Sequence, residues 1–265
     1  MEPDCINKDH LIKEFYPNFL MLIVLYCLQG LPLGLADIFP YIIQTLGASY
    51  KDLARFSITT WPFSLKILWA PFVDGVYIKS IGQRKTWIFI TQLAIGCMFI
   101  YLSSRIDYYF SYIKTASVLN NLIFIFTFLI FLAATQDIAV DGWGLNLFPR
   151  SLISYASFSN TVGQTIGYLI GNTIFLLITS PINLPIFKSN DELVSESSFM
   201  FAIGILFIVI TISILIFKHE ESSNQITTST REDITKSYKE LFFYIKQPFI
   251  LKITLMLLTI RVKEY

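Results

Sequence analysis

The chain has 265 residues, of which 54% are hydrophobic and 16% aromatic, and its formal net charge at pH 7 is +1. This composition is too apolar for an average soluble domain and indicates a polytopic membrane protein, while the small net charge gives no reason to expect nucleic-acid binding. The three cysteines and two histidines form neither a disulfide framework nor a metal-ligand spacing, so we expect no metal and no other cofactor.

Six apolar runs are long enough, or nearly so, to cross a bilayer as helices, which takes about 20 residues. A seventh run begins near Phe249 and stops at Ile260, which is short of a span. Lys and Arg are more frequent in the segments that are cytoplasmic if the N-terminus is inside, so we predict a cytoplasmic N-terminal segment over residues 1–17. In chain order the six runs are Phe19–Ile43, Phe56–Val73, Trp87–Leu102, Leu122–Val140, Ile153–Ile178 and Phe199–Ile216.

A polar linker over residues 218–248 separates the six-span unit, residues 18–217, from the partial seventh span, residues 249–265. Within the linker, apolar residues at near-helical spacing predict an amphipathic helix over Arg231–Lys246, either at the inner membrane surface or as a plain solvated helix. Six spans, a long linker and the start of a seventh span are typical of the N-terminal half of a major facilitator transporter. The predicted fold is therefore an all-α membrane protein built from two inverted three-helix repeats.

Span four carries Asp137 and Asp141, preceded by Gln136 and followed by Trp143. The spacing i, i+4 places both carboxylates on one helical face. Ionisable groups at membrane depth are costly and normally face a bundle interior or an aqueous pathway, so we predict that this face lines the substrate pathway. The alternative is that the span ends at Thr135 and that Asp137 begins a solvated loop.

Other polar residues within spans are further candidates for the pathway. Span one, which corresponds to span four in the repeat, is interrupted by glycines and prolines and carries Asp37. Lys66 lies deep in span two, where it either snorkels to an interface or faces the cavity, and there it could meet an anionic substrate or an internal acid such as Asp37. Span five carries Asn160 and Gln164 beside Gly163, Gly167 and Gly171, a spacing that favours close helix packing.

The loop after span two resembles the inner-loop signature of major facilitators, in which an Asp precedes a Gly and a basic pair. Here Asp74 and Gly82 lie further apart than in the usual signature. We predict that Arg84 and Lys85 pair with Asp137 or Asp141 and hold an inner gate shut. The alternative is an ordinary positive-inside anchor.

Several motifs together resemble the acetyl-coenzyme A transporter family, and the resemblance runs from about Tyr26 to Thr259. It implies a multi-span carrier of the endoplasmic reticulum membrane that brings cytosolic acetyl-CoA into the lumen. Because this substrate is a polyanion, the resemblance gives roles to Lys66, Arg84, Lys85 and Arg150 as cations. It also gives Trp61, Trp69 or Trp143 a role as stacking partner for the adenine. The blocks that carry the resemblance are Leu28–Ala36, Trp61–Lys66, Trp69–Asp74, Ala133–Trp143 and Val162–Asn172.

Family members continue through a second six-span half, so the resemblance implies a truncated product, the alternative being a half that pairs as a homodimer. Bacterial muropeptide permeases share a looser form of the acidic block. A carrier of another anionic or amphiphilic solute, such as a muropeptide-like conjugate, therefore stays open, as does a non-transporting half that binds or regulates a full-length relative. Uniport, exchange and proton-linked transport also stay open, with solute–proton symport as the working hypothesis. No enzymatic motif is present, and we expect no enzyme.

Overall fold

The computed structural model describes residues 3–78, 81–179, 194–217 and 230–250, together with residues 252 and 256. These residues are helical almost throughout, and no strand occurs among them. Most of the predicted partial seventh span, residues 249–265, lies outside the described residues. The helices are Pro3–Thr45 (α1), Tyr50–Phe56 (α2), Trp61–Leu65 (α3), Ala70–Gly75 (α4), Gln83–Ser103 (α5), Ile106–Ser111 (α6), Ala116–Leu147 (α7), Ile153–Leu169 (α8), Phe175–Thr179 (α9), Glu196–Phe217 (α10) and Thr230–Ile245 (α11).

Five helical segments are long and apolar enough to cross a membrane, and they correspond to predicted spans one, three, four, five and six. Their length and composition confirm the all-α membrane architecture. The fifth span is continuous only through a π-helical stretch at Ile170–Ile174 that joins α8 to α9. The segments are Phe15–Thr45, Gln83–Ser103, Ala116–Leu147, Arg150–Thr179 and Glu196–Phe217.

The prediction of a single helix for span two, Phe56–Val73, is wrong. The chain instead forms α2, α3 and α4, joined by 3₁₀ turns at Ser57–Thr60 and Lys66–Leu68. We call this series, Tyr50–Gly75, the broken span. Pro62 and Pro71 lie at the starts of α3 and α4, where a residue without an N–H is tolerated but cannot continue a preceding α-helix.

The connection from α1 to the broken span is closed by local hydrogen bonds. Gly47 has a φ of +91°, and the Ala48 N–H donates to the Ile43 carbonyl at 2.9 Å, which ends α1 in a Schellman motif. Ser49 then caps α2, accepting from the Asp52 N–H and donating its hydroxyl to the Asp52 carboxylate at 2.6 Å. This hydrogen bond from Ser49 lowers the pKa of Asp52 below its ordinary value.

Helices α1 and α8 approach until their backbones touch. A Cβ added to Gly167 would overlap the carbonyl of Cys27, and one added to Gly30 would lie 2.7 Å from the Tyr168 nitrogen. Glycines on both helices therefore alternate along one seam, which we call the glycine seam. Its members are Gly30 and Gly34 on α1 and Gly163, Gly167 and Gly171 in span five. The packing interpretation of the span-five glycines is confirmed.

Several contacts between spans follow the symmetry expected of an inverted repeat, although the α5–α7 contact has no counterpart of similar extent between α1 and α10 among the described residues. An inverted repeat relates span one to span four, span two to span five, and span three to span six. Under this exchange the contact between α1 and α8 (spans one and five) becomes the contact between α7 and the broken span (spans four and two). The same exchange converts the α4–α5 contact into the α9–α10 contact. The α5–α10 pair maps onto itself, and there Gly96 and Gly204 bring the helices together. These paired contacts are of the kind that an internal inverted repeat produces.

The apolar core falls into two clusters with a polar layer between them. The larger cluster includes Phe39 and Phe126, whose ring centroids are 4.3 Å apart, and it fills the end of the bundle near α2 and α6. The smaller cluster includes Tyr26 and Trp143, near the start of α5. Gln29, Gln136 and Asp137 are buried in the layer that separates the clusters, and the candidate site lies there.

Candidate functional site

Helix α7 runs without interruption through Asp137 and Asp141 to Leu147. The alternative in which the span ended at Thr135 is therefore wrong. Asp137 is only 1% exposed, while 43% of the Asp141 side chain is accessible. One carboxylate thus lies inside the bundle, and the other, one turn along the same face, lies at its surface.

Lys66 is the cation that both carboxylates share. Its ammonium group forms an ion pair with Asp137 and lies 3.9 Å from Asp141. The 3₁₀ turn at Lys66–Leu68 places the side chain over α7, with one third of it still accessible. The proposed alternative partner for Lys66, Asp37, is wrong, because span two lies along α7 whereas Asp37 lies on the α8 side of α1.

Side chains from α1 and α8 complete the environment of the two carboxylates. The Gln29 amide donates to Asp137 at 2.5 Å, and the Tyr26 hydroxyl donates to Asp141 at 2.7 Å. From α8, the Asn160 amide donates to Asp141 at 3.1 Å. Sequence reasoning missed Tyr26 and Gln29, although their i, i+3 spacing before Gly30 was a usable signal for one face of span one.

The charges in this cluster do not balance. Two carboxylates share one ammonium group, and the other contacts described above come from neutral hydroxyl and amide groups. A buried carboxylate that loses its cation is costly, so Asp137 depends on Lys66. The accessible third of Lys66 and the accessible part of Asp141 are the groups that a solute could reach.

The remaining span-four candidates are arranged around this cluster. The Gln136 amide donates to the Leu25 carbonyl at 3.2 Å, while its own oxygen is buried without a hydrogen-bond partner. Trp143 is buried, whereas Trp61 is 60% exposed. Gln164 is half-buried on α8, one turn beyond Asn160. The structure therefore brings Asn160 to the cluster and leaves Trp61 at the surface of the broken span.

Asp37 belongs to a second polar group, further along α1 from Tyr26 and Gln29. It accepts hydrogen bonds from the Tyr168 hydroxyl and, at 3.4 Å, from the Asn172 amide. Asn172 lies in the π-helical stretch, a feature that is frequent at functional sites. Asp37 is exposed, and it is not among the partners of Lys66.

The predicted gate residues lie at the connection between the broken span and α5. Arg84 forms an ion pair with Asp74, and Lys85 donates to the Leu215 carbonyl at 3.3 Å. The predicted pairing of Arg84 and Lys85 with Asp137 or Asp141 is wrong. The cation that lies next to those two carboxylates is Lys66. Arg150 is exposed at the start of the 3₁₀ turn before α8.

Gly142 provides the surface on which Arg84 lies. A Cβ added to Gly142 would be 2.6 Å from the Arg84 Nη1 atom, so Gly142→Ala is expected to push the guanidinium away from α7 and weaken its pair with Asp74. The pair is partly exposed, so the loss should be about 1 kcal/mol or less.

Thermal unfolding of Gly142→Ala, Asp74→Asn and the double variant forms the test. Both single changes act on the same ion pair, so their effects should not add, and the double-mutant cycle removes the gain in helix propensity from the alanine. Fully additive losses would contradict the contact between Gly142 and Arg84.

Comparison with known protein families shows to which family the chain belongs. A sequence model of the family described as "Acetyl-coenzyme A transporter 1" matches residues 18–253, which include every residue of the cluster. The chain belongs to the acetyl-coenzyme A transporter family. This confirms the resemblance inferred from the motifs, and the family is one of membrane transporters.

Individual relatives support the same relationship. An uncharacterized protein of Schizosaccharomyces pombe is 39% identical over 78% of this chain and 40% of its own length. An uncharacterized membrane protein of Saccharomyces cerevisiae is 37% identical over 83% of this chain and 43% of its own length. A Rickettsia conorii protein that bears the transporter name AmpG 4 is 28% identical over 82% of this chain and 47% of its own length. The chain thus spans less than half the length of these relatives.

Proposed function

We propose that this chain forms part of a carrier that moves acetyl-CoA across the endoplasmic reticulum membrane, from the cytosol into the lumen. The observation that carries the proposal is Lys66, a partly accessible cation within a membrane span, held on a buried carboxylate by a broken helix. A polyanionic solute requires such a cation at membrane depth. Membership of the acetyl-CoA transporter family supports the identity of the solute.

In the proposed mechanism, Lys66 exchanges its partner. In the structure it is paired with Asp137; when the phosphate groups of the substrate arrive, the ammonium turns towards them through its accessible face. Asp137 is then left buried without a cation and takes up a proton, because a buried carboxylate is far less costly when neutral. Uptake of the anion is thereby linked to uptake of a proton, which is solute–proton symport. No covalent step is involved.

The accessible polar groups define the face that we assign to the pathway. Asp37, Lys66 and Asp141 are all accessible although they lie within spans, and a lipid-facing position would be costly for each. A second set of spans, supplied by a longer relative or by a second copy of the chain, would cover this face and enclose the solute. In the proposed orientation the N-terminus is cytoplasmic. The ion pair of Asp74 with Arg84, together with Lys85 and Arg150, then forms the cytoplasmic gate.

A carrier of another anionic or amphiphilic solute is the second candidate. The similarity to the Rickettsia protein named as a transporter favours it. Most of this chain matches both that protein and the acetyl-coenzyme A transporter family. The chemistry of the cluster is shared between the two candidates, since one cation and two carboxylates serve any anion. Competition between solutes in an uptake assay is therefore needed to distinguish the two candidate functions.

The test is uptake of labelled acetyl-CoA into proteoliposomes that contain the chain, alone and together with a full-length relative. Saturable uptake that excess free CoA competes away supports acetyl-CoA as the solute. Competition by a muropeptide and not by CoA would replace acetyl-CoA by the second candidate. Stable association with the relative but no change in its uptake would indicate a binding partner that does not transport.

A further inference from the structure

Pro71 leaves a backbone carbonyl of the broken span without its normal donor. In the 3₁₀ pattern of this segment, the Trp69 N–H donates to Lys66 and the Phe72 N–H donates to Trp69, at 3.3 and 3.0 Å. The N–H of residue 71 would serve the Leu68 carbonyl in the same way, but proline has none. The Leu68 carbonyl is therefore available to a donor from elsewhere in the molecule.

The donor comes from the linker helix α11, far along the chain. The hydroxyl of Tyr238 donates to the Leu68 carbonyl at 2.9 Å. Helix α11 packs against α4, the segment that follows Pro71, so the hydrogen bond is part of a larger contact between the linker and the broken span. This contact goes beyond both alternatives from the sequence, a helix at the membrane surface and a plain solvated helix.

We infer that Tyr238 is a positioning residue for Lys66: it restores the hydrogen bond that Pro71 removes, and so holds the 3₁₀ turn that carries the lysine. Leu68 ends the turn that Lys66 begins. Two constraints act on that turn, the ion pair of Lys66 with Asp137 on one side and the Tyr238 hydrogen bond on the other. Release of α11 removes the second constraint, so the state of the linker is transmitted to the cation of the site.

The consequence for transport rests on the proposed function, but the structural inference does not. If Lys66 binds the anion, a loosened turn places it less often in the binding geometry. The KM for the solute should then rise more than the maximal rate falls. The position of the turn itself can be followed without any transport.

The decisive measurement is hydrogen–deuterium exchange in peptides that cover the turn, for the purified full chain carrying Tyr238→Phe. We expect exchange in the turn to be about fivefold faster, as for the loss of one hydrogen bond. Tyr50→Phe is the matched control, because Tyr50 is 81% exposed on α2 and should change nothing.

Pro71→Ala supplies the specific rescue. The alanine restores an N–H that can donate to the Leu68 carbonyl, so Tyr238→Phe should have little effect on exchange in that background. Unchanged exchange after Tyr238→Phe, or an equal effect with and without Pro71, would overturn the inference. Absence of acetyl-CoA uptake both by the unmodified chain alone and by the chain combined with a full-length relative would overturn the proposed function, while the exchange result would still decide the role of Tyr238.

Discussion

Replacement of Lys66 by glutamine is expected to abolish solute uptake and to destabilise the protein. Lys66 is the cation paired with Asp137, which is 1% exposed, and glutamine leaves that carboxylate buried without a countercharge. Breaking a fully buried ion pair in this way costs about 3–5 kcal/mol, and we expect a smaller loss here because one third of the Lys66 side chain is accessible. Uptake in proteoliposomes measures the first effect, and thermal unfolding in detergent measures the second.

Two further variants separate binding from stability. The double variant Lys66→Gln, Asp137→Asn removes both charges, so it should recover most of the lost stability and still fail to take up the anion. Lys66→Arg keeps the charge but changes its geometry, and should retain stability with reduced uptake. Normal uptake by the double variant would show that Lys66 is a structural ion-pair partner with no role in binding.

Asp137→Asn alone tests the link to protons. With Asp137 able to take up a proton, a proton gradient directed with the solute should accelerate uptake. With asparagine the proton acceptor is gone, and we expect the acceleration to disappear while Lys66 remains free to bind the anion. Persistence of the full acceleration in this variant would move the proton site elsewhere, for example to Asp141, which also contacts Lys66.

The second large effect is expected at the glycine seam. In Gly167→Ala the new Cβ would overlap the carbonyl of Cys27, and backbone atoms cannot turn aside as a side chain can. Helices α1 and α8 would have to separate, with an expected loss of about 3 kcal/mol, the upper end of the usual range for overpacking. The free energy of unfolding, measured by denaturant titration in mixed micelles, gives the result.

Gly144→Ala is the matched control because it makes the same chemical change on α7. There the nearest atom to the added Cβ is the Leu22 Cδ1 at 3.4 Å, an ordinary contact. Alanine also favours the helix over glycine by about 1 kcal/mol. We therefore expect no loss of stability, and equal losses at Gly144 and Gly167 would show that helix contact is not the cause.

The sequence identifies the charged members of the cluster better than it predicts their partners. The cost of a charge at membrane depth singles out Asp137, Asp141 and Lys66 without any structure. Spacing within one helix gives the face on which a residue lies, but the rotation of each helix in the bundle decides which faces meet. The sequence therefore leaves Lys66 to meet either an anionic substrate or an internal acid such as Asp37, and it does not predict the hydrogen bonds of Tyr26 and Gln29.

The broken span shows a different limit. A hydropathy profile averages side-chain hydrophobicity over a window of residues and ignores backbone N–H groups that are missing. For this reason Phe56–Val73 is predicted as one apolar helix. Pro62 and Pro71 carried the missing information, because each removes a donor within the run. The prediction for the loop after span two placed Arg84 next to Asp137 or Asp141. In the structure Arg84 pairs instead with Asp74, a residue of the same loop motif.

The two sides of this helix bundle have opposite mechanical properties. Along the glycine seam, backbone rests on backbone, so α1 cannot slide or roll on α8 without collision. On the other side, the broken span is a series of three short α-helices joined by 3₁₀ turns, where hydrogen-bond geometry is poorer and the chain can bend. We therefore expect deformation of the bundle to be concentrated in the broken span. Lys66 lies at one of the joints of that span, so a displacement of the joint moves the lysine directly.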